Sequence, residues 1–270
     1  MQLEWKTFST AKSGNQSEEN EDACFPEDEN NKEVKEFRCA LSDGATSTSF
    51  SRKWANLLVK TCVLELESNQ QNLKAVVKKG QIQWNKSISE LDLPWHAVQK
   101  TQQGAFSTLL WFRIVQTGYS NKMLGNWQVA AVGDTCFFHI RANKIQASFP
   151  FQKSSEINNH PFLLSSIENK NEILWKNGLP QKGKGAFEGG DEFIFMTDAL
   201  SYWFLSELEQ GKSPMEEIRN MIFTGKSNSA KFDEWIVNLR GNNSLKNDDT
   251  TLAYLRIQKE EPLIQVKKWM

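Results

Sequence analysis

The stretch Phe37–Phe50, FRCALSDGATSTSF, decides how the rest of the chain is read. Phe37, Cys39 and Leu41 alternate with other residues, which predicts a short buried strand. It runs into Ser42-Asp43-Gly44, so the strand ends in a carboxylate at a sheet edge. The glycine lets backbone atoms come close to whatever that carboxylate holds. Hard divalent cations take such oxygen ligands, and Mg²⁺ uses a few carboxylates while keeping several waters. Asp43 is therefore the candidate bridging ligand of a two-metal hydrolytic centre. An Asp-Gly pair by itself usually marks a turn, so the reading depends on the other acids of the chain.

Composition sets the frame for that search. A chain of 270 residues with 39% hydrophobic and 24% charged residues is long enough for a substantial core and reads as one globular domain, 1–270. A formal net charge of -1 points away from nucleic acid, whose partners carry a basic surplus or stripe. No apolar run approaches a membrane span, and the opening MQLEWKTFST lacks the basic and apolar regions of a secretion signal. A cytoplasmic protein is the expectation. Cys24, Cys39, Cys62 and Cys136 have no CxxC spacing and read as buried free thiols.

Taken in order, residues 2–10 read as a first strand, followed by the polar loop AKSGNQSEENEDACF and a short strand at Asp22–Phe25. Acids crowd this loop: Glu18, Glu19, Glu21, Asp22, Glu27, Asp28 and Glu29. Phe50–Leu66 carries apolar residues at helical spacing, with Ser47, Thr48 and Ser49 as candidate N-caps. A second helix is expected over Asn72–Glu90, with a possible break at Gly80, and a third over Trp95–Gln103, stopped by Gly104. Strands follow at Ala105–Ile114, Trp127–Val132, Thr135–Arg141 and Ile145–Phe151, with Gly133-Asp134 read as a tight hairpin turn. Residues 152–190 are polar and rich in Asn, Lys and Gly, and read as a long irregular surface excursion. The apolar run Phe193–Met196 is a buried strand that leads into Thr197-Asp198. Helices are expected at Leu200–Leu208, from Ser213-Pro214, and at Phe232–Arg240, before a final strand at Leu252–Ile257.

Four of these strands have an aspartate at their boundary: Asp22 (with Glu21 beside it), Asp43, Asp198 and Asp248. If those ends lie side by side, the carboxylates cannot all stay ionised without a compensating charge. Divalent cations supply one, and a pair of them can clamp a phosphoryl group and make hydroxide from water at neutral pH.

The order of motifs resembles a known family. NED (Asn20-Glu21-Asp22), SDG (Ser42–Gly44), GAFST (Gly104–Thr108), VGD (Val132–Asp134), EGGDEFIFMTDAL (Glu188–Leu200) and NDDTTLAYL (Asn247–Leu255) are similar to the metal-dependent protein phosphatases of the 2C type, over residues 13 to 257. The resemblance implies an α+β fold, a four-layer αββα sandwich of two antiparallel sheets flanked by helices, with the metal site at one end. It implies Mg²⁺ or Mn²⁺ as cofactor, in two ions, and direct attack of metal-activated water on phosphoserine or phosphothreonine. Asp43 would bridge the ions and the Gly44 carbonyl would bind one of them. Asp198 and Asp248 would complete the other site, and Glu21 and Asp22 would act directly or through water. The catalytic set implied is Asp43, Asp22, Asp198 and Asp248. Gly133 and Asp134 match a Gly-Asp turn taken as structural. The implied partners are a phosphorylated protein and a companion Ser/Thr kinase.

The chain departs from that pattern at several places. Ser17 stands where the family usually carries a phosphate-holding arginine, and the nearest upstream cation is Lys12, a point charge without the bidentate fork. Lys12 and Ser17 are thus the candidate phosphate contacts. Thr46 and Ala199 replace glycines, Asp249 replaces an asparagine, and Thr101–Gln103 supply no acid for a third ion. His96, His139 and His160 match no motif and read as structural, with one of them open as a proton donor. The rival reading is a catalytically weak or inactive pseudophosphatase acting as a regulatory binding module. A Cys-x5-Arg phosphatase is ruled out, since Ala45 and Ala142 stand where the arginine would be, and no P-loop is present.

Overall fold

A computed structural model of the protein describes residues 1–27, 30–46, 50–66, 73–118, 123–158, 160–223 and 228–259. The chain opens with β1 (Gln2–Thr10), β2 (Ala23–Phe25), β3 (Asn30–Glu33) and β4 (Glu36–Ser42), then three helices, α1 (Ser51–Glu65), α2 (Leu73–Ser89) and α3 (Trp95–Gln102). Next come β5 (Phe106–Ser107), β6 (Leu109–Gln116), β7 (Met123–Val132), β8 (Cys136–Arg141), β9 (Lys144–Phe149) and β10 (Leu164–Ser165). The remainder is α4 (Glu172–Lys176), β11 (Gln181–Glu188), β12 (Glu192–Met196), α5 (Asp198–Glu209), α6 (Pro214–Phe223), α7 (Asn228–Gly241) and β13 (Thr250–Ile257).

The long strands form two antiparallel sheets, β3-β1-β13-β12-β8-β9 and β11-β7-β6-β4-β2, with a short β10-β5 pair beside them. Alternation of apolar residues explains why two sheets face each other. Leu3, Trp5, Phe137, Phe193, Phe195 and Leu255 of the first sheet pack on Phe37, Cys39, Leu41, Phe112, Trp127 and Val129 of the second. The opposite faces of the same strands are also apolar, so each needs cover. Phe138, Ile194, Met196 and Tyr254 lie under α5, α6 and α7, and Ala40, Trp111, Ala130 and Val132 lie under α1 and α2. The result is helix, sheet, sheet, helix. The middle layer is rich in aromatic contacts: Phe112 has its ring 5.2 Å from Phe137 and 5.0 Å from Phe195. Such pairs add about 0.5–1.5 kcal/mol each beyond their buried area.

Several elements differ from the sequence reading. Gly133-Asp134 is not a hairpin turn: β7 belongs to one sheet and β8 to the other, so these residues carry the chain across the sandwich. Gly133 has φ +104°, and a Cβ there would stand 2.6 Å from Thr108 Cγ2, which is why the crossing uses glycine. The strand expected at Ala105–Ile114 is broken at Thr108. Residues 152–190 are not an irregular excursion throughout, because β11 forms an edge strand along β7 from Gln181 to Glu188. Its glycines disguised it. A Cβ at Gly185 would meet the Trp127 ring at 2.4 Å, so glycine is what lets this strand lie against that indole. Gly80 sits inside α2 without interrupting it, since the burial of Val76, Val77 and Trp84 outweighs its helix penalty of about 1 kcal/mol. The observed N-cap of α1 is Phe50. The caps proposed at Ser47, Thr48 and Ser49 lie outside the described residues, as do Asp28, Glu29 and Asn72. The four cysteines are all buried.

Candidate metal centre

Asp43 follows the last residue of β4 and is held by the break after β5. Thr108 accepts and donates at once: its Oγ1 takes the Asp43 N–H at 2.8 Å, its own N–H reaches the Asp43 carbonyl at 2.9 Å, and its carbonyl accepts the Ser42 hydroxyl at 2.5 Å. Thr108 therefore leaves the ladder in order to orient the strand end. Gly44 pairs with Ser107, and a Cβ on it would stand 2.7 Å from the Glu21 carbonyl. Only a residue without a side chain brings these two loops together.

The other acids arrive from separate elements. Asp198 opens α5, where its carboxylate accepts the Ala199 N–H at 2.6 Å in the helix's first turn. Asp248 precedes β13, in a turn where its N–H donates to the Lys246 carbonyl at 3.0 Å. Asp134, on the crossing from β7 to β8, is only 3% exposed. Asp43, Gly44, Asp134, Asp198 and Asp248 line one cleft, together with Thr46, Thr108, Asn158, Pro161 and Lys246. Lys246 places its Nζ 2.7 Å from Asp248 Oδ2 and 3.7 Å from Asp198 Oδ2.

Glu21 and Asp22 sit behind Gly44. Asn20 braces them, accepting the Asp22 N–H at 2.9 Å and donating to Ser9 Oγ at 2.8 Å. Asp22 accepts from Thr197 Oγ1 at 3.0 Å and borders a neighbouring cleft that Lys12, Ser17, Asn20 and Arg52 also line. Glu21 accepts from the Ser51 hydroxyl. Lys12 bridges Glu21 and Thr46, with Nζ 3.8 Å from Glu21 Oε2 and 3.3 Å from Thr46 Oγ1. Asp249 uses one carboxylate oxygen for the Lys12 N–H and the other for the Glu21 N–H, both at 2.8 Å. An asparagine could accept only one of the two. Ser17 begins an exposed 3₁₀ turn whose carbonyl accepts from Arg52 Nη1 at 3.2 Å.

Burial is the first cause of the site's electrostatics. It pushes the Asp43 carboxyl well above the usual range, and the neighbouring charges of Asp22, Asp198, Asp134 and Asp248 push it further. Asp22 is raised well above the ordinary value for the same first reason, against the hydrogen bonds from Thr251 and Thr197. Burial, with Asp198 next, lifts Asp134 to about 7. Asp198 is raised by burial, while Lys246 pulls it down. A carboxyl that is driven toward its protonated form by burial and like charge is one that a bound cation would ionise again.

The donor set fits Mg²⁺ or Mn²⁺, which take oxygen ligands. Asp22 Oδ1, Asp134 Oδ1 and Glu21 Oε2 are buried with no hydrogen-bond partner, and such orphaned oxygens are costly unless something binds them. Among the described residues, no three carboxylates, imidazoles or thiols are already drawn around a single point. The acids border a cleft and do not form a closed cage. His139 is buried beside Asp191, His160 is exposed, and the side chain of His96 lies outside the description.

Five residues of this region were not among the site residues read from the sequence. Asp134 was assigned a supporting role, yet its carboxyl is among the cleft's acids. Lys246 and Arg52 carried no signal and Thr108 was read only as the end of GAFST; Thr108 and Arg52 acquire their places through partners distant in sequence, whereas Lys246 joins its neighbour Asp248 to the distant Asp198. Arg240 belongs with them: its guanidinium donates to the Ala11 carbonyl at 3.0 Å and to Thr250 Oγ1 at 3.2 Å, clamping the Lys12 and Asp248 loops.

Comparison with known proteins places the sequence in a family and matches the fold. The sequence matches the protein phosphatase 2C family over residues 12–247. The serine/threonine phosphatase PstP/Ppp of Mycobacterium tuberculosis is similar in structure, at 14% identity and TM-score 0.58, with 96% of this chain and 100% of that one covered. The photosystem II phosphatase PBCP is similar at 14% identity and TM-score 0.57, with 96% and 100% covered. The catalytic domain of PstP in complex with two manganese ions gives 16% identity and TM-score 0.53, with 95% and 99% covered. At such identities the likeness is one of fold. No curated protein matches the chain by sequence.

Proposed function

Since the chain belongs to the protein phosphatase 2C family, we propose that it is a metal-dependent protein serine/threonine phosphatase, acting on phosphoserine and phosphothreonine in a phosphorylated protein. One observation carries this reading: four acids from four separate elements, Asp43, Asp134, Asp198 and Asp248, converge with Gly44 on one cleft. Two bound Mg²⁺ or Mn²⁺ ions would supply a nucleophilic water at neutral pH and neutralise charge on the transferring phosphoryl group.

The chain's own residues have distinct tasks in this scheme. Asp43, Asp198 and Asp248 would hold the ions, with Asp134 as a further ligand and the Gly44 carbonyl as a neutral one. Glu21 and Asp22 would support the second ion from behind Gly44; Asp22 Oδ1 has no hydrogen-bond partner, and Glu21 Oε2 faces only the Lys12 ammonium at 3.8 Å. Thr108 keeps Asp43 in register, and Asp249 ties the Lys12 and Glu21 backbones to the same end of the sandwich. Lys12 and Arg52, which share a cleft with Ser17, are the cations assigned here to a substrate phosphate. They stand in for the arginine that Ser17 replaces. A companion kinase that creates the phosphoprotein is part of the proposal. No described helix is long and apolar enough to cross a membrane.

The second reading, a regulatory binding module without turnover, is favoured by Ser17 alone. Hydrolysis of p-nitrophenyl phosphate and of a phosphothreonine peptide, with Mn²⁺, Mg²⁺ or EDTA, separates the two. Turnover that needs metal and drops at least ~10³-fold in Asp43→Asn, on the scale of losing one strong transition-state contact, supports the enzyme. Metal binding without turnover on any phosphopeptide supports the module.

A further inference from the structure

The cleft of four acids holds one cationic side chain among the described residues that line it, Lys246. Its place is built and not accidental. Leu245, 5% exposed, anchors the loop in the core under α7, and the Ser244 and Leu245 N–H groups both donate to the Leu239 carbonyl at 2.9 and 3.1 Å. The Lys246 carbonyl then accepts from Asp248, closing a turn that aims both side chains the same way. The ammonium lies 2.7 Å from one acid and 3.7 Å from a second, each from a different element.

We infer that Lys246 is a tethered counter-cation that occupies the Asp198–Asp248 pair in the metal-free protein and must be displaced before a divalent ion binds there. The inference rests on the metal-centre reading above. An ammonium carries one charge and three N–H donors, enough to hold two carboxylates apart from one another without burying either unpaired. A divalent ion brings twice the charge to the same two oxygens and wins, but only after breaking the contacts that Lys246 makes. The tether thus stabilises the metal-free fold and raises the metal concentration at which the site fills. Lys12 does not reach this pair; its contacts are with Glu21 and Thr46.

The test is calorimetric titration of the EDTA-stripped full chain with MnCl₂, beside Lys246→Met and Lys246→Arg, with melting curves of each in EDTA and in excess Mn²⁺. Lys246→Met should bind Mn²⁺ roughly 2- to 5-fold more tightly, the range expected when a half-exposed ion pair no longer competes. Its melting temperature should fall in EDTA and match the wild type in Mn²⁺, while Lys246→Arg should behave as wild type. Wild-type binding with unchanged or weaker Mn²⁺ affinity in Lys246→Met overturns the inference and leaves the metal centre standing. A raised KM in that variant with unchanged Mn²⁺ affinity also overturns it, assigning the lysine to substrate phosphate. If the wild type itself binds no Mn²⁺, the metal-centre reading falls and the inference falls with it.

Discussion

Strand β12 has an aspartate at each end, and the two live in opposite electrostatic worlds. Asp191, just before it, is 1% exposed and fully partnered. Its oxygens lie 2.8 Å from His139 Nε2 and accept from Arg141 Nε and Nη2, both at 2.7 Å, and from the Glu188 N–H at 2.8 Å. Although burial raises its pKa, the Arg141 and His139 contacts overcome that and hold it below the usual range. Asp198, beyond the other end, faces Asp43, Asp134 and Asp248 across a cleft, with Lys246 as its only close cation among the described residues. The same strand thus shows what a structural acid and a site acid look like. A carboxylate whose charge is already compensated has nothing left to bind, whereas one short of counter-charge is a receptor for a cation.

The largest effect expected from this contrast lies in exchanging the variants. Asp43→Asn should abolish metal-dependent hydrolysis and leave metal-free stability equal or higher, because it removes a charge that the fold pays to bury. Asp191→Asn should do the reverse. It takes the carboxylate from buried His139 and leaves Arg141 with Glu188 alone, and should cost about 3 kcal/mol of folding free energy, with turnover per folded molecule unchanged. Urea denaturation in EDTA and Mn²⁺-dependent turnover of both variants check this pair, and a destabilised Asp43→Asn would break the comparison.

A pH series sharpens it. Asp134 has its pKa raised from 3.8 to about 7 on folding, so between those values the folded chain binds more protons than the unfolded one. Metal-free stability therefore falls as pH rises from about 4 to about 7, by an upper limit of roughly 4 kcal/mol from Asp134 alone. Asp43 and Asp22 act in the same direction. Asp191 has the opposite sign: its contribution is present above the ordinary aspartate range and is lost only as pH falls through its lowered value. Saturating Mn²⁺ takes the place of the protons and should abolish the decline. Urea midpoints at pH 5 to 8, with Mn²⁺ minus without, should diverge steadily as pH rises; parallel curves would exclude uncompensated acids.

The smallest effect concerns the supports. Asp249→Asn restores the side chain found in the resembling motif but removes one acceptor for two N–H groups. The cost should be about 1–2 kcal/mol, a single charge-assisted hydrogen bond, read as a lower urea midpoint in EDTA.

Much of the candidate site was legible before any fold was known. Asp43-Gly44, Asp198 and Asp248 each follow or precede an apolar strand, and strand boundaries are local features. Asp22 and Glu21 were found in the same way, although in the structure they stand behind Gly44, and Asp22 borders a second cleft. The Gly133-Asp134 pair was misread as a hairpin turn because nothing local distinguishes a turn within one sheet from a crossing between two. The edge strand β11 was lost for a related reason. Two of its inward positions are glycines, Gly183 against Val129 and Phe149 and Gly185 against the Trp127 ring, so the apolar alternation that marks a strand is missing over most of its own sequence.

The order of strands, the apolar faces of the helices and the presence of strand-end acids are written in residues near one another, since side-chain alternation and helical period are properties of a few consecutive positions. Which acid meets a cation and which meets only other acids is settled by long-range pairing. Asp191 finds Arg141 because β8 lies beside β12, and Asp198 finds Asp43 because two sheets close face to face. Coulombic energy depends on distance and burial, and neither exists for residues 155 positions apart until the chain has folded.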